Sequence, residues 1–101
     1  MSNQLQRDKL LKLLLAHKPF LMREFDVRDL ACFGSTARNE AKAGSDVDVL
    51  VSFDGPATSK RYFGVQFYLE DLLGCRVDLV TDKALRPELK PLIENEAIRV
   101  E

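Results

Sequence analysis

From position 46 the chain sets an apolar side chain at every second place: Val47, Val49, Val51 and Phe53. Side chains of a strand alternate between its two faces, so these four share one face, while Asp46, Asp48, Leu50 and Ser52 share the other. The Val–Phe row has to be covered by other apolar groups. The opposite row has to stay wet or be neutralised, because unpaired buried charge is very costly. The segment therefore demands a sheet with one dry face and one open face that carries acids.

The rest of the chain supplies the cover. Ser2 or Asn3 can cap a helix running to about His17, with Leu10, Leu13 and Leu14 on one face. Pro19 suits the first turn of a second short helix through about Phe25. Residues 27–33 read as a buried strand that Gly34-Ser35 ends, residues 36–41 as a helical turn, and 43–45 as a loop. After the turn Asp54-Gly55-Pro56, Thr58 or Ser59 can cap a helix to Leu73, with Tyr62, Val65, Leu69 and Leu72 at helical spacing and Gly74 as its stop. Residues 76–81 are a short strand, 83 to about 97 are helical with resets at Pro87 and Pro91, and 98–100 form a last strand. This order predicts an α/β (α+β) domain: a small mixed sheet with helices packed mainly on one face. At 101 residues a single domain, 1–101, is expected, with 1–26 as an N-terminal helical segment and 27–101 as the core.

Composition excludes several classes. Fifteen Lys and Arg against sixteen Asp and Glu give a net charge of −1, so no basic surface for gripping long nucleic acid is expected. No apolar run approaches the roughly 20 residues of a membrane span. The polar start Met1-Ser2-Asn3-Gln4 lacks the plan of a signal peptide, which points to the cytoplasm. Cys32 and Cys75 form no CxxC and are expected as two reduced thiols beside core strands.

Three short features bear chemistry. Asp46 and Asp48, two apart on a strand, point the same way; they either share a cation or line the wet side of an edge strand. Gly34-Ser35 joins an apolar strand to a helical turn, where glycine admits close approach of a ligand and free N–H groups attract phosphate; a plain turn would read the same. Asp78 sits inside a short strand between Val77 and Leu79. It either pairs with a base such as Arg76 or joins the Asp46–Asp48 patch if the two strands are neighbours. Three carboxylates would offer the oxygen ligands and charge that two hard divalent cations need. Arg38 either reaches a phosphate or pairs with Glu40 or Asp46. Tyr62, Phe63, Phe67 and Tyr68 are expected in the core, His17 at a helix end, and 83–101 as a solvated helical face.

Taken together, Phe33-Gly34-Ser35-Thr36-Ala37-Arg38 and Gly44-Ser45-Asp46-Val47-Asp48-Val49-Leu50-Val51 resemble the nucleotidyltransferase domain of the DNA polymerase β superfamily. The family pattern is Gly-Ser, about ten residues, Asp-x-Asp, and a later Asp on a neighbouring strand. Here residues 36–45 make up the spacer and Asp78 is the later acid. The stretches Arg61-Tyr62-Phe63-Gly64 and Arg76-Val77-Asp78-Leu79-Val80 look like its small stand-alone branch, the minimal nucleotidyltransferases of MntA type. Asn39 and Gly44 depart from the usual residues at two loop positions.

The resemblance implies that Gly34 and Ser35 hold the β- and γ-phosphates of ATP, the substrate. It implies that Asp46, Asp48 and Asp78 hold Mg²⁺, two ions being expected, and that Ser35 and the three acids are catalytic. The acceptor it implies is a tyrosine of a HEPN ribonuclease toxin encoded nearby, met in a hetero-oligomer and blocked by AMP. Two other readings stay open: a non-catalytic antitoxin acting by occlusion, and the same chemistry on a different acceptor.

Overall fold

A computed structural model describes residues 7–38 and 46–101. The expected cap at Ser2 or Asn3, the loop at 43–45 and the departures at Asn39 and Gly44 lie outside the described residues. The elements run α1 (Arg7–Phe25), β1 (Val27–Cys32), α2 (Gly34–Ala37), β2 (Val47–Phe53), α3 (Ser59–Leu73), β3 (Val77–Thr81), a 3₁₀ turn (Asp82–Ala84), α4 (Lys90–Glu96) and β4 (Ile98–Arg99).

The four strands form one sheet in the order β3-β2-β1-β4. β1 is antiparallel to β2 and to β4, and β2 is parallel to β3, so the sheet is mixed as expected. Burial in β2 alternates strictly, with Val47, Val49, Val51 and Phe53 buried and the residues between them half-buried. Leu10, Leu14 and Leu21 of α1 and Val65 and Leu69 of α3 share one apolar core with that row. The period of two in β2 and the helical periods in α1 and α3 thus meet on the dry face, and burial of this apolar surface is the main favourable term in folding. No described helix is long and apolar enough to cross a membrane.

Three local features set the packing. Thr58 caps α3 by accepting from the Arg61 N–H at 3.3 Å, and Gly74 ends it with φ +69°. A Cβ on Gly64 would stand 2.3 Å from the Phe25 ring, so glycine is what lets α1 and α3 approach so closely. Three α3 side chains then serve β3. Tyr62 donates to the Leu79 carbonyl, Gln66 donates to the Val77 carbonyl, and Glu70 accepts from the Val77 N–H.

Several expectations are corrected. α1 is one helix through Pro19, not two. Proline removes the bond to the carbonyl of Leu15, but both residues lie on the exposed side, where water can take the freed oxygen. His17 is therefore inside the helix, and its Nδ1 meets the Tyr68 hydroxyl at 2.6 Å. Tyr62 and Tyr68 pack against the core, while Phe63 and Phe67 are 48% and 63% exposed. Ile98 and Arg99 pair with β1 as the expected last strand and Val100 is buried, so the solvated helical face expected over 83–101 does not extend through them. Cys32 and Cys75 are free thiols, as expected; burial and the charge of Asp48 push Cys32 up to about 12.

Candidate active site

The site forms where β1 turns into α2. Gly34 has φ +61°, the left-handed region that glycine enters without steric cost. It also lies against β2: a Cβ at Gly34 would be 2.6 Å from Asp48 Oδ2. Beta-carbon and carboxylate cannot share that space, so this turn and Asp48 require a glycine between them.

Asp48 is held from several directions. The Phe33 N–H donates to its backbone carbonyl at 3.2 Å, and its own N–H donates to Thr36 Oγ1 at 3.0 Å. Ser35 donates to its carboxylate through the backbone N–H and, at 3.5 Å, through Oγ. Arg7 of α1 donates to the Ala37 carbonyl and so ties α1 to this turn.

The register of the parallel pair sets Asp48 opposite Asp78. Partners in register on neighbouring strands point to the same face, so both carboxylates stand on the open side, opposite the Val row. Asp46, one residue before β2, is exposed and two places from Asp48. Burial raises the Asp48 carboxyl above its ordinary range; the charges of Asp78 and Asp46 raise it further, against the bonds from Ser35. No base pairs with Asp78 among the described residues, so its alternative reading, a bridge to Arg76, is not what the structure has.

Among the described residues no three His, Cys, Asp or Glu side chains form a metal cluster. The donor set nonetheless suits a hard divalent cation: carboxylate oxygens on one face, mutually repelling, with one already displaced upward in proton affinity. A cation there would remove that repulsion. The Gly34 turn holds its backbone directly against the Asp48 carboxylate, so N–H groups at the start of α2 and the acid lie side by side.

Residues 14–100 match the profile described as a nucleotidyltransferase domain. The chain belongs to this family. This nucleotidyltransferase is 41% identical over 88 residues to a Thermococcus cleftensis protein named protein adenylyltransferase MntA, covering 87% of this chain and 89% of that one. A solved structure described as a "putative minimal nucleotidyltransferase" is 33% identical, covers 93% of this chain and 95% of that chain, and has a TM-score of 0.79. A chain from the complex of a tri-AMPylated Shewanella oneidensis HEPN toxin with an MNT antitoxin reaches 0.64 at 17% identity, covering 90% of this chain and 71% of that chain; this likeness is one of fold.

Within the nucleotidyltransferase, Gly34, Ser35, Asp48 and Asp78 are brought together, with Asp46 beside them. Arg38, at the end of α2, pairs with Glu96 of α4. Two contributors escaped sequence reasoning. Thr36, 2% exposed, is an ordinary polar residue in the sequence and gains its role only from the Asp48 N–H. Tyr62 packs against the core as expected, and its hydroxyl also holds β3 one residue from Asp78 and feels that charge.

Proposed function

We propose that this nucleotidyltransferase transfers AMP from ATP to a tyrosine hydroxyl of a partner HEPN ribonuclease toxin and so silences it. The observation that carries the reading is the register of Asp48 against Asp78 beside the Gly34–Ser35 turn. The adenylyltransferase name of the Thermococcus relative supports AMP as the group moved. The tri-AMPylated toxin in complex with an antitoxin of this fold supports a protein acceptor.

In this reading Gly34 and Ser35 bind the β- and γ-phosphates through backbone N–H groups and the Ser35 hydroxyl. Asp46, Asp48 and Asp78 would hold Mg²⁺, which when bound neutralises phosphate charge and acidifies a nearby hydroxyl. Asp78 orients the acceptor tyrosine and takes its proton. The tyrosine oxygen then bonds to the α-phosphorus as the bond to the bridging oxygen breaks, and pyrophosphate leaves with that electron pair. ATP as donor puts the reaction in the cytoplasm, and a toxin as acceptor makes the working unit a hetero-oligomer.

The test incubates the protein with ATP, Mg²⁺ and the HEPN chain encoded beside it, followed by intact-mass measurement. The expected result is a toxin heavier by one or more adenylyl groups, lost with Asp46→Asn/Asp48→Asn. A toxin silenced equally by that double variant would mean occlusion instead. Labelling of an RNA end or small molecule, with the toxin left unmodified, would mean another acceptor.

A further inference from the structure

We infer that the outer face of α3 is a self-association surface, on which a second copy of this chain packs antiparallel about a twofold axis at the helix centre. Phe63 and Phe67 stand out from the protein 48% and 63% exposed, with ring centroids 6.0 Å apart and planes 22° from parallel. Tyr62 meets Phe63 edge-on at 5.2 Å and fixes its ring. Exposed paired aromatics on a folded helix are enriched at interface centres, where they bring large apolar area at small entropic cost.

What covers them is read from the charges on either side. Lys60 lies before the pair and Asp71 after it, both exposed. At 100° per residue, positions 60, 63, 67 and 71 fall within about 80° of the helix circumference. Neither Lys60 nor Asp71 has an ion pair among the described residues. The stripe therefore runs cationic, aromatic, aromatic, anionic, and the two halves are nearly equidistant from the helix centre. Such a stripe complements itself when reversed. An antiparallel copy sets Phe63 against the partner's Phe67 and Lys60 against the partner's Asp71, and twofold symmetry repeats each contact in the opposite sense.

The location favours a second copy over the acceptor protein. α3 covers the dry face of the sheet, whereas Asp48 and Asp78 stand on the opposite face. A partner on α3 leaves the acid face open, and an acceptor hydroxyl has to reach that face. One helical stripe is smaller than a permanent interface, so the dimer is reversible and depends on concentration.

Sedimentation velocity on the full chain, from micromolar to near-millimolar concentration, tests this. The wild type is expected to pass from monomer to dimer. Phe67→Glu remains monomeric, with its circular dichroism unchanged. Lys60→Asp and Asp71→Lys each weaken dimerisation about tenfold by opposing like charges. Mixing those two single variants restores it, because each then supplies the charge the other lacks. If Phe67→Glu does not fold, the charge variants and their mixture carry the test alone. A wild type that stays monomeric throughout overturns the inference, as does a dimer indifferent to the charge variants. So does a monomer in which Phe67→Glu abolishes toxin modification, which would assign the face to the acceptor.

Discussion

Asp48 and Asp78 stand opposite each other on the parallel strands β2 and β3, in register and on one face of the sheet. The fold therefore holds like charges side by side, and Asp48 shows it: burial first, then Asp78 and Asp46, raises its carboxyl above the ordinary range. A carboxyl raised in the folded state contributes stability that is complete below its unfolded pKa and is lost as pH rises through the folded pKa. At neutral pH the ionised group is a cost to the fold. Asp48→Asn should thus melt higher than the wild type in EDTA at pH 7, with the gap closing as pH falls into the carboxylate range. Thermal unfolding across pH measures it; a gap constant with pH would contradict a raised Asp48 carboxyl as its cause.

The same repulsion would be relieved by a divalent ion held as proposed above. Added Mg²⁺ should raise Tm, because whatever binds only the folded state stabilises it. At ten times the Kd this amounts to about 1.4 kcal/mol, or several degrees for a domain of this size. Asp46→Asn/Asp48→Asn should lose the Mg²⁺ shift and also lose at least about a hundredfold in nucleotidyl transfer. Differential scanning fluorimetry with and without Mg²⁺, beside an activity assay, separates the two effects. A Tm shift unchanged in the double variant would place the ion elsewhere.

Gly34→Ala meets two obstacles at once. Its backbone has φ +61°, and its Cβ would lie 2.6 Å from Asp48 Oδ2. The left-handed backbone alone costs of order 1 kcal/mol for alanine, and relief of the contact must displace the Asp48 carboxylate. The variant should unfold about 1–3 kcal/mol more easily in urea and should lose transfer activity. The double variant Gly34→Ala/Asp48→Ala should recover part of the lost stability, since it removes the collision but not the strain. Full additivity of the two losses would argue against that contact.

Much of this was legible in the sequence because it rests on periods and on spacing. The alternation Val47, Val49, Val51, Phe53 implied both the dry face and the side on which Asp48 stands. Asp78 became part of the site once its strand was set beside that one. The misreadings came where tertiary context decides. Pro19 looks like a helix start, yet α1 continues through it because the Leu15 carbonyl it leaves unbonded lies on the exposed side. That continuation moved His17 from a helix end to a bond with Tyr68. The pairing of Arg38 with Glu96, 58 positions away, is one that no local pattern suggests. As aromatics on one helix, Phe63 and Phe67 read as core beside Tyr62 and Tyr68, but the finished packing turns the first two outward.

Thr36 carries the last prediction. Its hydroxyl is the acceptor for the Asp48 N–H at 3.0 Å, in a side chain only 2% exposed, while the Phe33 N–H takes the Asp48 carbonyl. The turn that bears Gly34 and Ser35 is thereby fastened to the strand residue that bears the carboxylate. Thr36→Val keeps shape and volume but leaves a buried N–H without a partner, which costs about 1–3 kcal/mol. Thr36→Ser keeps the oxygen and should stay close to wild type in chemical denaturation. Because Thr36 acts through Asp48, the valine variant should need more Mg²⁺ for half-maximal transfer, and serine should restore the wild-type requirement. A valine variant that is less stable but keeps its Mg²⁺ requirement would leave Thr36 a support of the turn alone.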